Sequence, residues 1–284
     1  MKLILSLAIG LISSASYAFP EAPFDALSEE ALNNVNKTRS TEYNFEGIVK
    51  LSNCSGSLVR FTGMPKSAKA VVMTNGHCIQ KPGGYLQPGE VWSNRPMKRA
   101  MKIFDKNMNL FPIESTQISY ATMTGSDLAF YELKETYADI EKNFKIKPLL
   151  LSKARPSIAQ PIEIISGYWD RGYSCAIDNF VFQIKEDQWT WTDSIRYTAG
   201  CDTIGGTSGS PLIAKGKRIA IGVNNTSNES GNRCTMNNPC EVSANGQIFA
   251  EKGVRYGQQT YQTYNCLTAD FKIDLTIAGC DLPK

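Results

Sequence analysis

From about Glu46 onward the chain advances in short apolar runs: "GIVKL", "GSLVRF", "AKAVVMT", "TQISYAT", "DLAFYEL", "PIEIIS", "FVFQI", "SIRYTA", "SPLIA" and "RIAIGV". They are rich in β-branched and aromatic residues, many alternate with polar ones, and Gly, Pro, Asn and Ser separate them. Short strands at regular spacing with turn signals between them predict an all-β sandwich or barrel. One segment departs from that period. Between Lys134 and Phe144, Thr136 and Asp139 have the spacing that opens a helix, and Pro148 closes the stretch, which predicts a short helical connector between two β units. A second short helix, capped by Ser28, is expected in "LSEEALNNVNK" within the polar piece from Phe19 to about Tyr43. No unit repeats at a fixed period.

The first apolar run has another character. Lys2 precedes Leu3 to Ile12, and Ser16, Tyr17 and Ala18 form a small-x-small site. This is the layout of a secretory signal peptide over residues 1–18, too short for a permanent membrane span. A secreted or periplasmic mature chain starting near Phe19 is expected, with residues 19–43 an N-terminal extension or pro-segment and no membrane association after signal removal. The net charge of +3 gives no case for nucleic acid. Arg95, Lys98, Arg99, Lys102 and Lys106 read as a solvated loop. Eight cysteines, at 54, 78, 175, 201, 234, 240, 266 and 280, are an even number behind an export signal. That predicts up to four disulfides, since zinc would call for further His or paired Cys-x-x-Cys spacing. Cys175 and Cys201 bracket a hairpin-like stretch, and proximity pairs Cys234 with Cys240 and Cys266 with Cys280. No metal and no cofactor is expected.

The segment "TIGGTSGSPLIA", Thr203 to Ala214, is a turn by composition. Whether Ser208 is also a nucleophile depends on the rest of the chain, because a Ser hydroxyl needs an adjacent base. The chain has one His, at position 77 in "VVMTNGHCIQ". An imidazole base also needs a carboxylate to orient it, and Asp127 opens the strand-like "SDLAFYEL". Each of the three has an ordinary structural reading by itself. Their order is more selective: α/β-hydrolases place His last and use G-x-S-x-G, whereas "GTSGS" lacks the final Gly, and subtilisin-type enzymes run Asp, His, Ser on a parallel α/β fold.

"NCSGSLV" (53–59), "TNGHCI" (74–79), "SDLAFYEL" (126–133), "GGTSGSPL" (205–212) and "IAIGVN" (219–224) resemble, in order, the landmark segments of chymotrypsin-like serine endopeptidases. The style is most similar to the bacterial branch that includes the glutamyl endopeptidases. The resemblance implies two six-stranded antiparallel β-barrels, residues 44–147 and 148–260, with the active site in the cleft between them and a disulfide-stapled tail over 261–284. It implies His77 as general base, Asp127 as its orienting carboxylate and Ser208 as nucleophile. The N–H groups of Gly206 and Ser208 would form the oxyanion hole, worth about 3 to 4 kcal/mol per donor. A Cys54–Cys78 disulfide follows from the resemblance too. So does a polypeptide substrate paired along the edge near Ile221 to Asn224, with contacts from Asp202, Thr203, Val223 and Asn224.

Three positions depart from that pattern. Thr207 stands where animal digestive relatives carry an Asp that pairs with the N-terminus released on activation. Asp202 lies six residues before Ser208, where the trypsin branch keeps the carboxylate that selects Arg or Lys, but the intervening Cys of that branch is replaced by Ile204. Asn224 stands near the place where glutamyl endopeptidases use a His. The leading expectation is a monomeric secreted serine endopeptidase. The rivals are a catalytically silent protease-fold binding or effector protein, and an esterase sharing the acyl-transfer chemistry.

Overall fold

The computed structural model describes residues 42–284. The expected signal peptide and the Ser28-capped helix lie outside the described residues.

Seven strands build the first half: β1 (Ile48–Lys50), β2 (Ser55–Arg60), β3 (Lys69–Thr74), β4 (Val91–Pro96), β5 (Ala100–Phe104), β6 (Leu110–Thr122) and β7 (Leu128–Thr136). Six of them close in the order β1-β5-β6-β7-β3-β2 and back to β1, each pairing antiparallel, while β4 pairs only with β6. The inward side chains, among them Leu58, Val72, Ile118 and Phe130, are fully buried.

The basic run expected as a solvated loop instead spans β4, β5 and the turns after each, with Arg95, Lys98, Lys102 and Lys106 exposed. Arg99 is buried there, and its guanidinium donates to the Cys78 carbonyl at 2.7 Å, the Tyr131 hydroxyl at 3.0 Å and Asn53 Oδ1 at 2.6 Å. Three acceptors compensate the burial of a charge that composition alone assigns to solvent.

The connector helix, α1 (Tyr137–Phe144), is capped by Thr136, whose hydroxyl accepts from the Asp139 N–H while the Asp139 side chain accepts in return. The helix ends at Lys145 in the left-handed region, φ 60°. β8 (Leu149–Leu151) follows and pairs in parallel with β2 on one side and with a strand of the second half on the other.

The second half contains β9 (Pro161–Ser166), β10 (Arg171–Glu186), β11 (Trp189–Tyr197), β12 (Pro211–Ala214), β13 (Ile219–Ser227), β14 (Cys240–Val242), β15 (Ile248–Phe249) and β16 (Arg255–Gln259). The order β13-β12-β9-β10-β11-β16 returns to β13, again antiparallel throughout, so a second six-stranded barrel closes. Its core is a smaller cluster around Ile164, Ile177, Ile195 and Leu212. Disulfides join Cys54 to Cys78, Cys175 to Cys201, Cys234 to Cys240 and Cys266 to Cys280. After a 3-10 turn at Tyr261–Cys266 the tail returns to the first barrel, burying Ile273 and Leu282 in its core.

Candidate active site

β3 delivers the chain into the turn Asn75–Cys78 at the cleft. A Cβ on Gly76 would stand 2.0 Å from the Thr122 carbonyl oxygen, so only glycine fits beside His77. Asp127, fully buried just before β7, organises this turn. Its backbone carbonyl accepts from the Asn75 amide at 2.8 Å, its Oδ1 accepts from the His77 backbone N–H at 3.0 Å, and its Oδ2 faces His77 Nδ1 at 2.5 Å. The carboxylate thus fixes the His77 backbone and ring together and sets the tautomer that leaves Nε2 free to accept. Burial disfavours the imidazolium, but the charge of Asp127, its hydrogen bond and a smaller contribution from Glu186 outweigh this and hold the His77 pKa above 6.5.

Across the cleft, Ile204 to Thr207 form a turn closed by Thr207 N–H donating to the Ile204 carbonyl at 3.0 Å, with Gly206 at φ +87°. A positive φ at the third position marks a type II turn, which differs from type I by a flip of the central peptide. Trp169 Nε1 donates to the Gly205 carbonyl at 2.6 Å and so holds that peptide in one orientation. A Cβ on Gly206 would meet ring atoms of Tyr168 and Trp169 at 2.7 and 3.0 Å. Among the described residues, neither the Gly206 nor the Ser208 N–H donates to a protein acceptor. The Ser208 hydroxyl donates to the Asn225 carbonyl at 3.2 Å, and the Ser208 carbonyl accepts from the Ser55 N–H at 2.8 Å. Ser55 therefore ties the Ser208 turn to the first barrel.

His77 and Ser208 line one cavity of about 610 Å³, open mouth included, together with Thr203 and Asn224. Two other expected contacts are placed elsewhere. Val223 is fully buried and paired on both sides, with Pro211 of β12 and Gln258 of β16. The Asn224 backbone is also committed, donating to Ser210 and accepting from Gly209. The open edge of β13 thus begins two residues beyond Val223, at Asn225 to Ser227, all of which line the cavity. Asp202 is not among the lining residues: its carboxylate is 73% exposed and ion-paired with Arg255, so it is not a buried pocket base. Thr207 is held inside, its carbonyl and hydroxyl both taking the Asn224 side-chain amide, at 3.1 and 3.2 Å.

The family model described as the trypsin-like peptidase domain matches residues 54–223, more than half of the chain and a span that contains His77, Asp127 and Ser208. The chain belongs to the trypsin-like peptidase domain family. No curated protein sequence matches it. Among solved structures, the MamO protease domain from Magnetospirillum magneticum is 11% identical, covering 77% of this chain and 94% of that one at a TM-score of 0.46. A Nocardiopsis protease is 15% identical over 76% and 93% of the two chains, TM-score 0.45. Cellulomonas bogoriensis chymotrypsin is 16% identical over 76% and 91%, TM-score 0.40. Likenesses this distant concern the fold alone.

This trypsin-like peptidase holds site features that no motif announces. Tyr85 stands edge-on to His77, ring centres 6.3 Å apart, and to Trp189 at 5.7 Å. Trp189 and Trp191 send their indole N–H groups to the Leu86 and Met123 carbonyls of the first barrel, carrying the tip of the β10–β11 hairpin across the cleft. Glu186, the last residue of β10, is 5% exposed and lines the cavity. In the sequence it sits in "IKEDQW", which reads as an exposed polar turn; only Trp189 and Trp191, just after it, hint that the tip is covered. Cys54, His77 and Cys78 bring ligand-type atoms within 4.8 Å of one another, but the sulfurs share a disulfide and offer no thiolate to a metal.

Proposed function

We propose that this chain is an exported serine endopeptidase that hydrolyses peptide bonds through an acyl-enzyme on Ser208. The observation that carries the reading is that the Asp127-oriented His77 and Ser208 line one cavity between two barrels, with the N–H groups of Gly206 and Ser208 in the same turn uncommitted. In this structure the Ser208 hydroxyl is engaged by the Asn225 carbonyl, and the reaction requires it to turn from there to the imidazole. Neutral His77 takes the proton as Oγ attacks the substrate carbonyl, the Gly206 and Ser208 N–H groups receive the oxyanion, and the imidazolium protonates the leaving amine. Water then repeats the sequence on the ester. An extended polypeptide adds to the open edge of β13 at Asn225 to Ser227. Export is supported by the leader layout and four disulfides; among the described residues no helix is long and apolar enough to cross a membrane.

A basic preference built on Asp202 has no support in the geometry, because that carboxylate faces solvent and Arg255. Thr207, bonded within the turn by Asn224, supports a nucleophile turn that forms without an N-terminal ion pair. Acetylating the mature N-terminus is accordingly expected to leave activity within a few-fold.

The test is covalent. A fluorophosphonate added to the purified mature protein should modify Ser208, located by mass spectrometry, and His77→Ala should abolish both labelling and peptide hydrolysis. A folded protein that stays unlabelled would establish the silent, binding-module alternative.

A further inference from the structure

The cleft cavity is acidic. Of its lining residues two are Glu, at 186 and 229, and none is Lys or Arg. Glu186 is the buried one of the two, 5% exposed. Each of its carboxylate oxygens accepts one hydrogen bond, Oε2 from the Thr226 hydroxyl at 2.7 Å and Oε1 from the Asn237 N–H at 2.8 Å. Neither donor is a cation, and Glu186 has no ion-pair partner among the described residues. A carboxylate accepts about four hydrogen bonds, so roughly half of the capacity of Glu186 is unspent. Asn225, 3% exposed beside it, has a side-chain Oδ1 and Nδ2 without partners. Around these acceptors stand Tyr85, Trp189 and Trp191, whose ring faces attract a cation.

A buried carboxylate without a counter-charge is costly to keep unless something of opposite sign completes it. This one is held in place with some care. Asn237 belongs to the loop that the Cys234–Cys240 disulfide closes, and Asp187, next in sequence, donates its N–H to the Cys234 carbonyl. The loop therefore fixes the acid at the tip of β10 within the same cavity as the catalytic pair.

We propose that Glu186 is the specificity-determining residue of the site, receiving the ammonium or guanidinium of a Lys or Arg side chain of the polypeptide substrate as that side chain enters the cavity, with Asn225 Oδ1 as a second acceptor. The proposal rests on the serine endopeptidase reading and moves the selecting carboxylate from Asp202, on the nucleophile segment, to a different strand. Burial raises the Glu186 carboxyl to about 6, against the lowering effect of its two hydrogen bonds and of His77, with Asp127 raising it further. The ionisable groups that share its cavity are His77, Tyr85 and Glu229. The acid is thus charged, and selective, above that range.

The experiment uses the full mature protein and paired peptides in which Lys or its uncharged isostere norleucine is scanned through the four positions before the cleaved bond. At one position the Lys-over-norleucine ratio of kcat/KM should be tenfold or more, should rise between pH 5 and pH 7.5, and should collapse towards unity in Glu186→Gln. The ratio cancels the titration of His77, which both peptides share. Asp202→Asn should leave the ratio intact. A ratio near unity at every position, one that survives Glu186→Gln, or one lost in Asp202→Asn overturns the proposal.

Binding separates this result from failure of the catalytic reading. In Ser208→Ala, quenching of Trp189 and Trp191 fluorescence by the same peptides reports Kd without turnover. Tighter binding of the Lys peptide, lost on adding Glu186→Gln, supports the proposal even in a chain that hydrolyses nothing; equal binding of both peptides refutes it even if Ser208 is labelled.

Discussion

The first barrel meets the cleft with the Asn75–Cys78 turn, the start of β7 and two single side chains, Tyr85 and Met123; the second meets it with four segments far apart in sequence. On the first side Asp127 alone binds the His77 backbone, the His77 ring and, through its own carbonyl, Asn75. On the second side the Ser208 turn, the open edge of β13, the tip of β10–β11 and the Cys234–Cys240 loop must all arrive before the cavity exists. His77 is therefore positioned by a compact network centred on one residue. The cavity is positioned by contacts distributed over those segments.

That contrast can be broken experimentally. Asp127→Asn, on the compact side, is expected to lower kcat by about 10⁴ with KM nearly unchanged, because the wrong tautomer presents a proton to Ser208. In the parent protein, kcat/KM should rise with pH through a midpoint above 6.5: the imidazole acts only when neutral, and its pKa is raised. Gly206→Ala comes next, at roughly 10²- to 10³-fold in kcat, since its Cβ collides with Tyr168 and Trp169 and one oxyanion donor swings away. Trp169→Phe removes only the bond to the Gly205 carbonyl and should cost about tenfold in kcat, with weaker binding of a peptide aldehyde but unchanged KM. If Trp169→Phe proves as damaging as Asp127→Asn, the second side is not distributed at all.

The smallest effect is one of stability. Folded Glu186 titrates at about 6 against 4.5 for the free side chain, so folding favours its protonated form. Stability from this group is complete below about 4.5 and is lost as pH rises through 6, a difference of about 2 kcal/mol. Glu186→Gln should consequently raise Tm at pH 8 by roughly 4 to 8 °C and leave it nearly unchanged at pH 4, read by calorimetry.

Much of the first side was legible in the sequence because its determinants are short-range. "AKAVVMT" and "DLAFYEL" read as strands and became β3 and β7, and Thr136 and Asp139 form the cap that their spacing predicts. The long β10 was only half visible: "FVFQI" has strand character, whereas "RGYSCAIDN" before it is polar and is drawn into the sheet by β9 and by the bulge between Ile177 and Asn179. β4 and β5 were hidden under their charges for a related reason. Arg99 reads as solvated until three acceptors, two of them more than 30 residues away, are folded around it. The two carboxylates show the same limit at the site. Position relative to Ser208 singled out Asp202, which is exposed, whereas Glu186 is buried by tertiary contacts no local pattern encodes.

β8 has a consequence of its own. Its three leucines hydrogen-bond to β2 on one flank and β13 on the other, so the ladder runs unbroken from one barrel into the next. Neither barrel can open along that seam without exposing the other. Heat should therefore melt the two in a single cooperative transition, and the slowest amides to exchange with deuterium should lie on both sides of the β8 seam.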